Sequence, residues 1–275
     1  MKAVCPICPR RCALEEGQLG FCRARVNHEG TVVCENYGRV TSLALDPIEK
    51  KPLKRFHPGA MILSAGSYGC NMDCAFCQNC EISRADANGA SWEEISPETL
   101  VLTAQAYIPK GNFGLAFTYN EPLVGYEFVL DTAKLARKAE LSIVLVTNGI
   151  ILPEPWEKLL PYVNAANIDL KVFSAEGYRR LGGEFDAVRE SISRAAGRIH
   201  LELTTLIVPG LNDDAEGMRA EAAWIASLSP QIPLHLSRFF PRYRMKNQPP
   251  TPPETIYRLA DIAREHLQYV YTGNL

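Results

Sequence analysis

Apolar and polar positions follow two alternating periods from Met61 to the end of the chain. Short apolar runs, typical of buried strands, are separated by longer stretches that carry apolar residues at helical spacing. This alternation indicates βα units around a parallel sheet, and six units are predicted. The predicted strands are Met61–Ser67, Phe113–Thr118, Ser142–Thr147, Asn167–Lys171, His200–Val208 and Ile232–Arg238.

Helices are predicted between these strands, with starts marked by proline. Ser96-Pro97 and Thr251-Pro252-Pro253-Glu254 have the residue types that begin helices. The predicted helices are Pro97–Tyr107, Tyr126–Ala139, Pro153–Leu160, Ala175–Leu181, Ala187–Ala196, Ala215–Leu228 and Pro253–His266.

Unusual polar residues stand directly after the predicted strands. Right-handed crossovers allow either an open doubly wound sheet or a curved barrel, and loops that converge on one face are typical of a barrel mouth. We therefore predict an α/β fold, a partial (β/α)6 TIM-like barrel over residues 61–275. The residues concerned are Cys70–Cys77, Tyr119–Glu121, Asn148-Gly149, Asp169 and Lys171, Pro209-Gly210, and His235 and Arg238.

The first 60 residues have a different composition from the rest. They are rich in cysteine up to Cys22, and they end in a proline-punctuated stretch, DPIEKKPLKRFHPG. A segment of this size has little core of its own. We predict that residues 1–60 form a small metal-binding appendage.

Composition and charge exclude several classes of protein. The 275 residues are 47% hydrophobic with a formal charge of −2, as in ordinary globular proteins. This charge argues against a protein that neutralises many nucleic-acid phosphates, and we interpret the basic stretches Lys50–Arg55 and Arg238–Lys246 as solvated loops beside a pocket. No signal peptide or membrane-length apolar run is found, so a cytoplasmic protein without membrane contact is expected.

Cys70, Cys74 and Cys77 form the most informative motif, a C-x3-C-x2-C set. Three thiolates on one tight loop fit three corners of a cubane iron–sulfur cluster and leave the fourth iron open to a ligand. Cys80 offers an alternative, as a fourth thiolate of a closed electron-transfer cluster. Structural zinc would use the same thiols, but it does not explain their place at a barrel mouth.

Cys5, Cys8, Cys12 and Cys22 form a second set, of four thiols. Four soft ligands satisfy tetrahedral zinc or a second [4Fe–4S] cluster equally well, and the sequence leaves both open. Four ligands close the coordination of the metal, so its role is structural or electron-transferring.

These motifs resemble those of the radical S-adenosylmethionine (SAM) superfamily, in which C-x3-C-x2-C carries an aromatic residue before the last cysteine, here Phe76. The order of motifs from Met61 to Leu211 resembles the pyruvate formate-lyase activating enzymes. The stretches CPICPRRCALEEGQLGFCRAR, SLALDPIEKKPL, CNMDCAFCQN and FTYNEP are similar to the radical SAM member of the AmmeMemoRadiSam system.

The resemblance implies a [4Fe–4S] cluster on the three thiols that cleaves SAM reductively to a 5′-deoxyadenosyl radical. It also implies an external reductant such as flavodoxin or ferredoxin. In such enzymes the radical abstracts hydrogen from a substrate, here a small molecule or, as in the activating enzymes, a glycyl radical enzyme.

The resemblance further assigns SAM contacts. Phe76 is expected near the adenine, and Asn148 belongs to a TNG turn near the ribose. Tyr119-Asn120-Glu121-Pro122 occupies the place of a GGEP strip that binds the SAM amino group: Tyr119 and Asn120 replace the two glycines, and Glu121 and Asn120 remain able to bind an ammonium group. The remaining positions are the pair Asp169 and Lys171 near the SAM carboxylate, His235 in the last strand, and Thr204, which stands where the activating enzymes carry a SAM-binding arginine. Arg238, independently of the resemblance, is a candidate anchor for an anionic substrate group.

Two other functions compete with radical catalysis. A non-catalytic electron-transfer or zinc-stabilised binding protein would have a cluster with four protein ligands. An RNA-modifying enzyme would use Arg238–Lys246, with its interleaved aromatic residues, as a stacking surface, although a lid over the barrel mouth explains that segment equally well.

Overall fold

A computed structural model describes the protein over residues 1–275. Its strands are β1 (Ala3–Val4), β2 (Ala13–Leu14), β3 (Arg25–His28), β4 (Thr31–Cys34), β5 (Arg39–Val40), β6 (Ser42–Pro47), β7 (Met61–Gly66), β8 (Glu93–Glu94), β9 (Asn112–Phe117), β10 (Ser142–Thr147), β11 (Ala165–Asp169), β12 (His200–Ile207), β13 (Leu234–Arg238) and β14 (Val270–Gly273). Its α-helices are α1 (Cys80–Ser83), α2 (Pro97–Ala106), α3 (Tyr126–Lys138), α4 (Pro153–Leu159), α5 (Ala175–Arg180), α6 (Phe185–Ala195), α7 (Ala215–Leu228) and α8 (Pro253–Arg264).

One eight-stranded sheet organises the molecule, in the order β14-β13-β12-β11-β10-β9-β7-β6. All neighbouring strands from β7 to β14 pair in parallel, and β6 is antiparallel to β7. The six predicted strands are confirmed, and β6 and β14 extend the sheet at its two edges. Because β6 and β14 do not pair with each other, the barrel is partial and open on one side.

The core lies between the sheet and the helices that cross over it. Ile143, Val144 and Leu145 in β10 are completely buried, as expected for a parallel strand covered on both faces. All seven predicted helices are present, and α1 is an additional short helix. At the start of α2, Ser96 Oγ accepts a hydrogen bond from Thr99 N at 3.2 Å, which confirms the predicted cap. A membrane-spanning helix, which needs at least 18 mostly apolar residues, is not found.

The chain before Met61 is joined closely to the barrel. Its strand β6 pairs with β7 over its whole length. The following turn closes the amino-terminal end of the barrel, where Asn167 Nδ2 in β11 donates a hydrogen bond to Pro52 O at 2.8 Å. The chain therefore packs continuously across the predicted boundary at residue 60. The backbone N–H and C=O groups of β6 form their hydrogen bonds with the main sheet.

Two small hairpin-like pairs, β1–β2 and β3–β4, form the cysteine-rich part of this segment. The buried guanidinium of Arg25 in β3 makes two hydrogen bonds of 2.7 Å to Glu127 in α3. Leu152 N donates a hydrogen bond to Ile7 O at 2.8 Å. These contacts hold the cysteine-rich segment against the same end of the barrel as the loops that follow the strands.

Candidate active site

A cavity of about 450 Å³ opens at the carboxyl ends of the parallel strands. Its lining comes from the loops or strand ends after β7, β9, β10, β11, β12, β13 and β14, together with Lys50 and Lys51. Polar residues at this end of a barrel are typical of a catalytic site, because each strand delivers its next loop to the same mouth.

The loop after β7 places Cys70, Cys74 and Cys77 together on the wall of this cavity. Backbone contacts hold the loop: Asp73 N donates to Leu181 O at 2.9 Å, and Cys77 N donates to Cys74 O at 3.2 Å. Cys80 begins α1 and is not part of the lining. The geometry thus favours the set of three thiols over a set of four that includes Cys80.

Phe76 is buried in the same loop and also lines the cavity. Arg244, from the segment after β13, covers the loop from outside: its Nη2 lies 2.6 Å from Asp73 Oδ1, and its backbone N donates to Ala75 O at 3.0 Å. The segment Arg238–Lys246 therefore acts as a brace on the cysteine loop.

Glu121, after β9, is a buried carboxylate on the cavity wall. It accepts hydrogen bonds from Thr147 Oγ1 at 2.6 Å, Asn148 N at 2.7 Å and Leu123 N at 2.9 Å. Burial raises the pKa of Glu121 to about 7, although these donors favour the charged form. The three donors fix the orientation of the carboxylate in the cavity.

Asn120 and Tyr119 shape the strip before Glu121. Asn120 Oδ1 accepts a hydrogen bond from Ser67 N at 3.0 Å, and its Nδ2 donates to Tyr68 O at 3.1 Å. Tyr119 has φ of 74°, in the left-handed region that glycine enters without strain. The backbone shape expected of a glycine is therefore kept here with a tyrosine, whose hydroxyl donates to Asp46 at 2.7 Å.

Asn148, after β10, lies against the cysteine loop. Its Nδ2 donates to Asn71 Oδ1 at 2.8 Å and stands 3.8 Å from Cys70 Sγ. Its Oδ1 accepts a hydrogen bond from Ile150 N at 2.9 Å, which closes the turn at Gly149. Asn148 thus links the turn after β10 to the first cysteine of the motif.

Asp169 and Lys171, at the end of β11, form an ion pair of 2.7 Å on the cavity wall. Burial lowers the pKa of Lys171, but the carboxylate of Asp169 more than offsets this effect and leaves it above its usual value. Lys171 is therefore a fixed positive charge in the cavity.

His235 is placed differently from the sequence expectation. It does not line the cavity, and its Nε2 lies 2.6 Å from Glu202 Oε2. Side chains on a strand alternate between faces, so Ser237, which lines the cavity, lies one layer nearer the mouth on the same face. The structure thus gives no support to a cofactor contact by His235, which belongs to a deeper layer of the barrel.

Glu202 is the centre of that deeper layer. It is completely buried and hydrogen-bonded to His235, to His200 at 2.9 Å and to the backbone N atoms of Lys54 and Arg55 at 3.0 and 2.8 Å. Burial would raise the pKa of Glu202, but these partners lower it to about 2. The network attaches the turn after β6 to the barrel interior.

Arg238 is also turned away from the cavity. Its Nε donates to Thr251 O at 2.7 Å, and it does not line the cavity. The structure therefore assigns it to holding the segment before α8, and the predicted role as a substrate anchor has no geometric support.

Comparison with known proteins now identifies the family. A family model described as the radical SAM superfamily matches residues 65–222, more than half of the chain. The chain belongs to the radical SAM superfamily. Over 279 aligned residues it is 40% identical to an uncharacterized protein of Methanocaldococcus jannaschii, covering 100% of this chain and 82% of that one. The pyruvate formate-lyase-activating enzyme of Clostridium pasteurianum is 25% identical over 58% of this chain and 67% of its own length.

Solved structures agree with this radical SAM fold. A domain of the pyruvate-formate lyase-activating enzyme of Bacteroides vulgatus aligns with a TM-score of 0.51 and 19% identity, covering 58% of this chain and 99% of that one. A radical SAM methyltransferase of Sphaerobacter thermophilus aligns with a TM-score of 0.58 and 14% identity, covering 79% and 67%. At these identities the likeness concerns the fold alone.

The radical SAM family implies a [4Fe–4S] cluster, and the cysteine loop suits one. No three His, Cys, Asp or Glu side chains converge closely enough to bind one metal ion. Cys70, Cys74 and Cys77 nevertheless border one cavity, and a cubane cluster takes its thiolates on separate iron atoms, farther apart than the ligands of a single ion.

The cavity also suits the SAM that the family implies. Thr204 is 93% buried, since only 7% of it is exposed, and its hydroxyl has no hydrogen-bond partner in the protein. Because Thr204 lines the cavity, this orphaned hydroxyl points to a bound polar ligand. The carboxyl group of Glu121 and the fixed positive charge of Lys171 match the ammonium and carboxylate of an amino acid.

The interpretation of Lys50–Arg55 as a solvated loop beside a pocket is wrong for Lys51, which is buried. Lys50 and Lys51 line the cavity, and Lys51 Nζ lies 2.9 Å from Asp46 Oδ2. Asp46 also accepts the Tyr119 hydroxyl. The adjacent Lys-Lys in DPIEKKPL was visible, but only the pairing of β6 with β7 brings it to the cavity.

The four amino-terminal cysteines also come together. Cys5, Cys8, Cys12 and Cys22 line a second, small cavity with Arg25 and Asn71. Cys34 lies outside this lining, and its thiol is 3.1 Å from Asn36 Oδ1. Burial raises the pKa of Cys34 to about 12, in agreement with an inert thiol.

Proposed function

We propose that this chain is an enzyme that cleaves SAM reductively and abstracts hydrogen from a substrate, in the manner of the glycyl radical activating enzymes. One observation carries the proposal: three thiols border a large polar cavity from which the next cysteine, Cys80, is excluded. A non-catalytic electron-transfer protein has no use for an open cavity of about 450 Å³ beside its cluster.

Cys70, Cys74 and Cys77 would hold the cluster. With SAM bound, the cluster supplies a 5′-deoxyadenosyl radical, which removes hydrogen atoms from unactivated carbon. The protein has to orient the bound groups and keep water from them.

The charged residues of the cavity supply that orientation. Lys171, held by Asp169, would bind a carboxylate, and Glu121, held by three donors, would bind an ammonium group. Asn148 touches both the cysteine loop and the Glu121 carboxylate, so it ties these two parts of the site together. Thr204 offers a hydroxyl to the remaining polar groups.

The open side of the barrel supports a macromolecular substrate. The edges β6 and β14 are unpaired, and residues beside both edges, Lys51 and Asn274, line the cavity. A backbone loop of a glycyl radical enzyme can reach a cavity with such an opening, as can a small molecule.

The test is an anaerobic assay of the iron–sulfide-reconstituted protein with dithionite and SAM. We expect 5′-deoxyadenosine from the wild type and from Cys80→Ala, and none from the Cys70→Ala/Cys74→Ala/Cys77→Ala variant. The electron paramagnetic resonance (EPR) spectrum of the reduced cluster should change when SAM is added. An unchanged spectrum together with no 5′-deoxyadenosine would overturn the proposal.

The activase-like reaction has its own test. A candidate glycyl radical enzyme is incubated with the reduced enzyme and SAM, and its glycyl radical is measured by EPR. SAM cleavage without a glycyl radical on any such partner would favour a small-molecule substrate.

A further inference from the structure

Two neighbouring lysines line a part of the cavity that the proposed SAM contacts do not use. Lys50 and Lys51 follow the edge strand β6, and both border the cavity. Because β6 runs antiparallel to β7, its last residue pairs with Met61, at the amino-terminal end of the parallel strands. The cysteine loop follows the opposite, carboxyl-terminal end of β7. The lysines therefore reach the cavity from another side than the cysteine loop does.

Lys51 is buried and has few negative partners. Its side chain is 2% exposed, and its ammonium group donates to Asp46 Oδ2 at 2.9 Å, although such a group has three N–H donors. The ammonium group also stands 4.8 Å from the centre of the Tyr119 ring. Burying a charge is costly unless the charge is paired and hydrogen-bonded. The spare donors of Lys51 at the cavity wall thus point to an acceptor that enters the cavity.

Asp46 cannot neutralise both lysines. Its Oδ1 lies 3.2 Å from Lys50 Nζ, and its Oδ2 accepts hydrogen bonds from Lys51 Nζ and from the Tyr119 hydroxyl. One carboxylate therefore faces two ammonium groups, which leaves one positive charge. In agreement, burial lowers the pKa of Lys51, and the pairing with Asp46 does not fully offset this effect.

The other acidic residues that line the cavity, Glu121 and Asp169, have partners of their own. Asp169 pairs with Lys171 at 2.7 Å and keeps the pKa of Lys171 above its usual value in spite of burial. Glu121 accepts hydrogen bonds from three donors of the loops after β9 and β10. The positive charge at Lys50 and Lys51 is therefore not cancelled by the rest of the cavity wall.

Polar side chains border the cavity from the other edge of the barrel. Ser237 in β13 and Asn274 after β14 line the same cavity as the lysines. Since β6 and β14 are the two unpaired edges of the sheet, these side chains and the lysines lie beside the open side of the barrel. A hydroxyl and an amide supply hydrogen-bond donors for oxygen atoms of a ligand held there.

The depth of Lys51 favours a small molecule over a protein surface. With 2% of its side chain exposed, Lys51 is out of reach of the surface of a folded protein. A small molecule can enter the cavity, whose volume of about 450 Å³ is typical of small-molecule sites.

We propose that Lys50 and Lys51 bind an anionic group, a carboxylate or a phosphate, of a small-molecule substrate. Lysine binds both groups as a point charge. The inference rests on the proposed function for the hydrogen abstraction, and it selects the small molecule from the two kinds of substrate considered there. SAM itself carries one carboxylate, which is assigned to Lys171, so the lysine pair is left for a second anion.

Anion binding tests the site without SAM cleavage. The reconstituted enzyme, kept oxidised and saturated with SAM so that Lys171 is occupied, is titrated calorimetrically with inorganic phosphate or with acetate at constant ionic strength. We expect one anion to bind per chain, and the tighter of the two shows which group the site prefers. Binding of neither anion, or displacement of SAM by the anion, would overturn the proposal.

The same titration without SAM separates this proposal from the proposed function. The lysine pair should bind the anion whether or not SAM is bound or cleaved. Anion binding by a protein that does not cleave SAM would leave the site standing and refute only the radical chemistry.

Charge variants locate the bound anion. Lys50 is 66% exposed, so its replacement leaves the core intact. Lys50→Glu should weaken phosphate binding by about tenfold or more at low ionic strength, and Lys50→Met by about three- to fivefold. Arg219→Glu, on the exposed face of α7 and outside the cavity lining, is the matched control and should bind phosphate normally. Equal phosphate affinities of Lys50→Glu and Arg219→Glu would overturn the proposal.

Lys51→Met removes the buried ammonium group itself. It should weaken phosphate binding at least as much as Lys50→Glu does, because Lys51 is the more deeply buried of the two donors. Wild-type affinity in this variant would contradict the assignment. If Lys51→Met does not fold, the comparison of Lys50→Glu with Arg219→Glu decides alone.

Discussion

Two adjacent threonines in β12 show how strand alternation separates function from stability. Thr204 faces the cavity with an unpartnered hydroxyl. Thr205 faces the other side, where its hydroxyl donates to Leu170 O at 3.0 Å and pairs with Glu221 at 2.5 Å. A threonine hydroxyl is therefore free to bind a ligand at position 204, whereas at position 205 it stabilises the fold.

We predict that Thr204→Val leaves the apo protein as stable as wild type or more stable, because it removes a buried unpaired hydroxyl. The same change should weaken SAM binding by about 1 kcal/mol, or about fivefold. Thr205→Val should lower the free energy of unfolding by about 1–3 kcal/mol and leave SAM affinity unchanged. Urea denaturation and calorimetric titration measure both effects, and a destabilised Thr204→Val would contradict the assignment.

Lys171 carries the charge that we assign to carboxylate binding. Lys171→Ala should weaken SAM binding by about 10- to 100-fold, corresponding to about 1.5–3 kcal/mol for a charged hydrogen bond. Titration of the reconstituted protein with SAM gives the affinity. Lys134→Ala, which removes an exposed lysine paired with Asp131 at 3.5 Å, is the control and should bind SAM normally.

At the scale of elements, the loops around β7 depend on contacts that lie far apart in sequence. An alanine at position 69 would be destabilising for two reasons. Its backbone would have to keep the left-handed φ of Gly69, and its Cβ would lie only 2.8 Å from Ala24 Cβ. Gly59 has φ of 80° and nothing within 4 Å, so Gly59→Ala carries the backbone cost alone.

We expect Gly69→Ala to be less stable than Gly59→Ala by about 1 kcal/mol or more, because backbone atoms must move apart. It should also lose iron during reconstitution. Thermal unfolding and iron analysis of the two variants provide the comparison, and equal losses would show that the contact with Cys22 and Ala24 is loose.

The buried Glu202 in β12 predicts how the stability of the protein depends on pH. The pKa of Glu202 is about 2 when folded and near 4.5 otherwise, so its stabilisation is complete above about pH 4.5 and is lost as the pH falls towards 2. Glu202→Gln should lower the free energy of unfolding by about 1–3 kcal/mol at pH 7. In urea titrations, the difference in free energy of unfolding between wild type and Glu202→Gln should become smaller below pH 4.5. A difference that does not change with pH would contradict the assignment of a charged Glu202.

At the scale of the whole molecule, the cysteine-rich segment packs against the barrel through many contacts. β6 joins the main sheet, Arg25 pairs with Glu127, and Glu202 binds the backbone of residues 54 and 55. We therefore predict a single cooperative unfolding transition. Tryptophan fluorescence, which reports Trp92, Trp156 and Trp224, and far-ultraviolet circular dichroism should give coincident urea curves.

Glu127→Ala should shift that single transition as a whole, by about 1–3 kcal/mol, because it leaves the buried Arg25 without its partner. Two separate transitions, with only the first one shifted, would instead show that residues 1–60 are an independent unit.

The sequence by itself determined the order of strands and helices and the cysteine motif. Apolar periodicity reflects burial directly, and the spacing of Cys70, Cys74 and Cys77 is a local property of one loop. Parallel strands also deliver their following loops to one end, so the positions of Glu121, Asn148 and Lys171 at a common cavity were predictable.

Only the tertiary structure decided the depth of each side chain and the contacts of the first 60 residues. His235 and Ser237 share a face of β13, and which one reaches the cavity depends on how deep the mouth extends. The hydrogen bond between Cys70 and Cys22 joins residues 48 positions apart. Such long-range pairings depend on packing that periodicity does not encode, so sequence reasoning found both thiol sets without finding that they touch.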